Sequence, residues 1–221
     1  MQQRKGLTQV KPLFFMRALL RFFFHFLYHQ LAFAYDFVAA AVSFGHWKNW
    51  ILEVAPFIEG TRILEIGHGP GHLQRFLHNR GLVTVAVDES AQMARLAKRN
   101  TDSKARLARG LAQQLPFLDR SFDTVIATFP AEYITDPGTL SEVKRCLSDR
   151  GRFVVLPVAM PKNRFLSWLF RVTGQVPSDA MKVIQEKLKE PFVESNFDVV
   201  THVIERSSGT LIIIIATKKE N

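Results

Sequence analysis

Three glycines at alternate positions, Gly67, Gly69 and Gly71, follow the apolar run Ile63-Leu64-Glu65-Ile66 and lead into His72. Glycine tolerates φ > 0 and carries no Cβ, so such a turn lets a ligand lie against bare main chain at the start of a helix. A nucleotide-like ligand suits that place. The dinucleotide fingerprint G-x-G-x-x-G would need glycine at position 72, which is His72, and no Gly-Lys-Ser/Thr follows to build a phosphate loop. Glu65 stands two residues before the first glycine. A carboxylate there favours positive charge in the ligand over phosphate. Asp88 closes the next apolar run, where its two oxygens could accept both hydroxyls of a ribose.

These residues need a strand before each turn and a helix after it, and the chain supplies both from residue 60 onward. Arg62 to Ile66 is a short β-branched run, His72 to Arg80 has helical spacing, and Leu82 to Val87 is a second apolar run, which together make a β-α-β unit. Ser90 is placed to cap a helix from Ala91 to Asn100. Strands are expected at Ala105 to Ala108, Phe122 to Thr128 and Arg152 to Val158. Helices are expected at Thr139 to Leu147 and Ser178 to Glu190. Asp198 to Glu205 and Thr210 to Thr217 form two closing strands around the turn Ser207-Ser208-Gly209. Such alternation predicts an α/β fold, a mostly parallel sheet with helices on both faces. A cationic nucleoside such as S-adenosylmethionine fits the acid, glycine and acid pattern.

With those residues in place, the chain resembles the class I S-adenosylmethionine-dependent methyltransferases, and within them the quinone and small-molecule type. Four stretches in family order carry the resemblance: Leu64 to Gly71, Val87-Asp88-Glu89-Ser90, Ala108 to Phe117 and Ser121 to Ile126. Leu147 to Phe153 is similar to the family's L-x-P-G-G turn, with Asp149 and Arg150 replacing Pro and the first Gly. The resemblance implies a Rossmann-like seven-stranded sheet whose last strand is antiparallel, with S-adenosyl-L-methionine across the carboxyl ends of the strands. The residues it places around the cofactor are Glu65, Gly67, His68, Gly69, Pro70, Gly71, Asp88, Glu89, Leu111, Ala112 and Phe129, with Asp88 on the ribose. The pattern G-D-A-x-x-L-P-F reads Gly110 to Phe117 here with Leu111 in the acidic place, so the backbone at Leu111 and Ala112 is left to hold the adenine edge.

Methyl transfer is an in-line displacement that needs alignment and, for a protonated nucleophile, removal of a proton. Glu132, Tyr133 and Tyr35 are the groups singled out for the acceptor side. Glu132 also reads as a carboxylate that merely stabilises a helix start. The segment Thr128-Phe129-Pro130-Ala131-Glu132-Tyr133 differs from the Asn/Asp-Pro-Pro-Tyr/Phe of base and glutamine N-methyltransferases. The seven histidines show no dense ligand spacing, so no metal is assigned. Cys146 is the single cysteine, which rules out an internal disulfide and fits a reducing, cytoplasmic setting.

The 221 residues carry a net charge of +9, with Lys and Arg exceeding Asp and Glu by 29 to 20. Arg4, Lys5, Lys11, Arg17 and Arg21 all precede the first acid, Asp36, and nine of the nineteen phenylalanines fall between Phe14 and Phe44. A basic, Phe-rich helical extension over residues 1–45 ahead of a methyltransferase domain over 46–221 is the expected division. The uncharged run from Phe22 to Tyr35 is too short to span a bilayer, for which roughly 20 apolar residues are needed. On a helix, Arg17, Arg21, His25 and His29 form one polar stripe, the pattern of an interfacial helix on the inner face of an anionic membrane. A lid or dimer surface and a signal peptide are the other readings. Residues 161–174 read as an apolar helix with basic ends, suited to covering a lipophilic acceptor of quinone or phospholipid type. A soluble small-molecule acceptor and a non-catalytic or RNA-directed module are the alternatives. Arg95, Lys98, Arg99, Lys104, Arg106 and Arg109 lack interleaved aromatics, which disfavours nucleic acid and leaves a solvated face.

Overall fold

The computed structural model describes residues 45–162 and 177–220, and the side chains of 177–181 are left aside. The expected helix over the Phe-rich extension and residues 163–174 of the one expected over 161–174 therefore lie outside the described residues, while Pro161 ends a strand rather than starting a helix.

Each element forms where local chemistry starts and stops it. Helix α1 (Trp47–Ile51) runs into a 3-10 turn (Leu52–Phe57) containing Pro56. Strand β1 (Ile63–Ile66) is buried along its whole length and passes through the glycine turn into α2 (His72–Asn79). Strand β2 (Thr84–Asp88) leads to α3 (Ala91–Asn100), whose first turn is capped by Ser90 Oγ accepting the Met93 N–H at 3.3 Å. Strands β3 (Arg106–Arg109) and β4 (Phe122–Thr128) follow. Asp136 then caps α4 (Pro137–Cys146) through the Thr139 N–H, with Pro137 in the first turn, where its missing donor costs nothing. Strand β5 (Leu147–Pro161), α5 (Pro177–Glu194), β6 (Phe197–Glu205) and β7 (Gly209–Lys218) complete the described chain.

The seven strands order as β3-β2-β1-β4-β5-β7-β6. β1 pairs in parallel with β2 and β4, β2 with β3, and β4 with β5, while β7 runs antiparallel to both β5 and β6. This is the expected Rossmann-like sheet with an antiparallel last strand. Leu211, Ile212, Ile213 and Ile214 are fully buried. Leu211, Ile213 and Ile215 serve one core and Ile214 and Ala216 the other, one per sheet face, which is why the strand reads as continuously apolar.

The largest boundary difference from the sequence expectation is in β5, which runs Leu147–Pro161 rather than Arg152 to Val158. Leu147 already pairs with Phe122 before a register shift brings Arg152 opposite Thr124. Residues 148–151 form the irregularity between them, with Arg150 at φ 58°. The family's first glycine in this turn would sit in that left-handed region at no steric cost, whereas an arginine there is strained.

Arg145 joins α4 to the loop before β4. It donates to both Glu142 oxygens at 2.7 and 2.8 Å, to Asp119 at 2.7 Å and to the carbonyls of Phe117 and Leu115 at 2.8 and 3.1 Å. Glu142 in turn accepts the Leu115 N–H at 2.8 Å, and the Arg145 pairing holds its carboxyl below the ordinary range. Replacing Arg145 with Ala should lower unfolding stability by about 1–3 kcal/mol, the lower end applying because the guanidinium is partly solvated. Urea titration at neutral pH measures that loss.

Candidate functional site

The three glycines adopt φ 70°, 50° and 81° at Gly67, Gly69 and Gly71, all in the left-handed region. Their missing side chains serve different ends. A Cβ on Gly71 would stand 2.9 Å from the Cβ of Ala97, so this glycine lets the start of α2 press onto α3. A Cβ on Gly67 would come within 2.3 Å of the Tyr133 hydroxyl. A Cβ on Gly69 would meet no atom within 4 Å, so this stretch of main chain faces open space.

The turn is fixed from below. The Gly67 N–H donates to the Val87 carbonyl at 2.8 Å, the Gly71 N–H to His68 O at 2.9 Å, and the Asn100 side-chain amide to Pro70 O at 2.8 Å. Asp88, buried at the end of β2, accepts the Gly69 N–H on one oxygen at 2.9 Å and the Ser90 N–H on the other at 2.8 Å. One carboxylate thus spans the two chain turns that leave β1 and β2.

Glu65 lies on β1 and is only 1% exposed. The Gln74 amide donates to its Oε2 at 2.7 Å, and Gln74 Oε1 accepts the Thr84 hydroxyl at 2.6 Å. Burial raises its carboxyl to about 8, with the Gln74 bond opposing and the negative charge of Asp88 adding to the rise. Nothing in the sequence pattern singled out Gln74. Its place one turn into α2 becomes meaningful only when that helix packs back over β1.

His68 is also buried, at 4% exposure, with Nδ1 2.7 Å from the carbonyl oxygen of Gly69. Burial lowers the ring's basicity, against the pull of Asp88 and backbone hydrogen bonds. His68 lines a cavity of about 20 Å³ together with Trp47, Ile51, Glu65, Gly67, Gly69, Pro70, His72, Leu73, Thr128 and Phe129. Trp47 meets His72 edge-on, with ring centroids 5.1 Å apart. Phe129 follows β4 directly at φ 46°, its N–H donating to Leu156 O at 2.7 Å. A bulky residue in that region is strained, and such residues gather at functional sites.

A second, open cleft of about 670 Å³ lies beside the turn after β2, lined by Glu89, Ser90, Ala91, Gln92, Arg109, Gly110 and Leu111. Glu89 and Leu111 line it as expected, while Ala112 is buried in the adjoining core. Tyr133 and Glu132 belong to a 3-10 turn (Glu132–Thr135), where Glu132 is exposed and Tyr133 reaches the glycine turn. Tyr35 lies outside the described residues. The basic residues of α3 and β3 are exposed along the sheet edge, and Arg109 Nε donates to Glu89 O at 3.0 Å. Among the described residues no three His, Cys, Asp or Glu side chains gather as a metal site.

A glycine turn at the carboxyl end of β1, tied by an acid at the end of β2, in a 3-2-1-4-5-7-6 sheet, defines a Rossmann-like architecture. The methyltransferase-domain family matches residues 64–155. The chain is 28% identical over 162 residues to a demethylmenaquinone methyltransferase of Thermotoga maritima, covering 71% of this chain and 68% of that protein. It is 25% identical over 207 residues to a ubiquinone/menaquinone biosynthesis C-methyltransferase of Shewanella frigidimarina, covering 79% and 82%. Among solved structures, an S-adenosylmethionine-dependent methyltransferase of Methanosarcina mazei superimposes with TM-score 0.57 at 18% identity, over 76% of this chain and 98% of that one. The domain match and the relatives support a class I S-adenosylmethionine-dependent methyltransferase, with S-adenosylmethionine as the methyl donor.

Glu65 supplies a test of the site's electrostatics. In the unfolded chain its carboxyl ionises near 4.5 and in the fold near 8, so between those values the native state holds a proton that the unfolded state has lost. Its contribution is fully present below pH 4.5 and is lost as pH rises towards 8, at up to about 1.4 kcal/mol per pH unit. The variant Glu65→Gln should lack that part of the decline when urea unfolding is followed from pH 5 to 8.5.

Proposed function

We propose that the protein methylates a lipophilic, ring-bearing acceptor of the quinone type, with the donor seated on the Gly67–Gly71 turn. The observation that carries this reading is the placement of that turn. Bare main chain at Gly69 and the buried acids Glu65 and Asp88 lie beside a wall of Trp47, Ile51, Leu73 and Phe129. The names of the relatives, which include demethylmenaquinone and ubiquinone/menaquinone methyltransferases, support the same acceptor class.

The residues present fit the donor. An adenosine end suits the open cleft bordered by Glu89, Arg109 and Leu111. The assignment of the ribose hydroxyls to Asp88 rests on the family resemblance, since both of its oxygens already accept backbone N–H groups. The methionine end would cross the main chain at His68, Gly69 and Pro70, with Gly71 holding α2 close and Glu65 countering positive charge. S-adenosylmethionine supplies a methyl group on a sulfonium, activated without help from the protein. The chain's part is therefore to orient the acceptor, exclude water and manage a proton. Leu111 and Ala112 would hold the adenine edge through their backbone, and Phe129 and Tyr133 would wall the space above Gly67. Glu132, exposed at the start of its turn, serves the local dipole in this reading, and Tyr35 belongs to the extension.

Residues 46–221 form the catalytic domain in this reading and residues 1–45 an extension that rests on the cytoplasmic face of an anionic membrane. The stripe Arg17, Arg21, His25 and His29 beside the clustered phenylalanines supports that role. No helix among the described residues is long and apolar enough to cross a membrane.

Two measurements test this. Calorimetry should detect binding of S-adenosylmethionine or its demethylated product, weakened in Asp88→Ala by at least about 1 kcal/mol, roughly fivefold. Incubation with labelled donor and a lipid extract should label a quinone-type lipid; transfer only to water-soluble compounds would refute the acceptor assignment. Separately, the full chain should float with vesicles containing anionic lipid, and the double variant Arg17→Glu, Arg21→Glu should float several-fold less, at about 1 kcal/mol for each basic residue lost. Equal flotation removes the membrane role.

A further inference from the structure

His68 stands where the sequence pattern asks only for a residue between two glycines, yet its side chain is the most specifically held in the turn. Gly69 O can only accept, so the Nδ1 atom 2.7 Å away must carry the ring proton. In the neutral ring that leaves Nε2 as a bare lone pair. Nε2 is buried and has no hydrogen-bond partner among the described residues. An unsatisfied buried acceptor is costly, and in native structures it calls for a specific reason. Here the ring sits in the wall that also contains Trp47, Ile51, Leu73 and Phe129, the apolar surface assigned above to the acceptor.

We propose that His68 is the general base of the reaction, its Nε2 taking the proton from a phenolic hydroxyl of the methyl acceptor. The inference rests on the reading of the site given under Proposed function. The step balances without a further reagent. The O–H proton moves to Nε2, and the electron density left on oxygen is shared with the ring. A ring carbon forms the new bond to the methyl carbon as the carbon–sulfur bond breaks, its pair staying on sulfur as a thioether. The ring carbon then loses its hydrogen to water while His68 returns its proton to the oxygen. One proton is released per methyl transferred, and His68 ends neutral.

The surroundings suit that work. Glu65 of β1, Asp88 of β2, His72 of α2 and Tyr133 of the 3-10 turn are the titratable groups about the turn that carries His68. Asp88 favours the charged ring once a proton arrives, and burial keeps the ring neutral before then. Glu65, with its carboxyl raised and its Oε2 bonded to Gln74, is a poorer acceptor in the resting state and a natural counter-charge for the donor. The Gly69 carbonyl holds the tautomer, as a positioning group does for any histidine base.

The test uses the full chain with ¹⁵N-labelled histidine and, as acceptor probe, a short-chain prenyl-1,4-naphthohydroquinone. Long-range ¹H–¹⁵N correlation on the donor-free protein should show one histidine as the Nδ1–H tautomer, titrating below 6.5 and missing from the spectrum of His68→Asn. An Nε2–H tautomer, or a charged ring at pH 7, overturns the proposal. His68→Asn can keep a donor near the Gly69 carbonyl while removing the base. It should bind the donor within about threefold of wild type by calorimetry, yet lose about 10²–10⁴-fold in kcat and lose the acid limb of the kcat profile. A variant that keeps kcat within threefold, or keeps the acid limb, overturns the assignment, as does one whose main defect is donor affinity. If the wild-type chain binds no donor, the underlying reading fails first; if it binds donor and leaves the hydroquinone unmethylated, the acceptor and the base fail together.

Discussion

The site depends on one carboxylate. Asp88 accepts the amides of Gly69 and Ser90, and so holds the turn leaving β1 to the turn leaving β2 at the common edge of the sheet. Charge-assisted bonds to backbone N–H groups are stronger than neutral ones and directional, so the glycine turn is pinned at its middle as well as at its ends. Two glycines are then consumed by close packing, Gly71 against Ala97 and Gly67 against Tyr133, and the third is left with its face open. A turn held this way can offer bare main chain to a ligand without collapsing onto it.

The acids around it are divided by environment rather than by type. Asp88 is fed by two backbone donors, whereas Glu65 has a side-chain amide and little else to offset its burial. Desolvation therefore dominates at Glu65 and raises its carboxyl to about 8. A buried carboxyl that is uncomfortable when ionised is well suited to meeting a cation, because the arriving charge relieves the penalty that the fold imposes.

Much of this was legible from the chain alone, for reasons that are local. The Gly67, Gly69, Gly71 spacing, the Ser90 cap and the unbroken apolar run in β7 each carry their meaning within a few residues, and α3 and β4 fall where they were expected. The seven-strand count and the antiparallel last strand came from the family resemblance, not from periodicity. What stayed hidden involves contacts between distant segments: Trp47 against His72, Gln74 under Glu65, Tyr133 over Gly67, and Arg145 holding the loop at Leu115 and Phe117. The start of β5 was misread because its irregular turn places Arg150, not glycine, in the left-handed region.

The position of β1 has a consequence for biosynthesis. It lies between β2, which follows it closely, and β4, whose first paired residue, Thr124, comes some sixty positions later. Emerging from the ribosome, the nascent chain can assemble β1, α2 and β2 early, but β1 keeps an open flank until Phe122–Thr128 has been translated. Tyr133 and Phe129 arrive later still, so the glycine turn gains its far wall only after more than half the polypeptide has been made. Until then an apolar strand edge is exposed, and chaperone contact or mispairing would concentrate there.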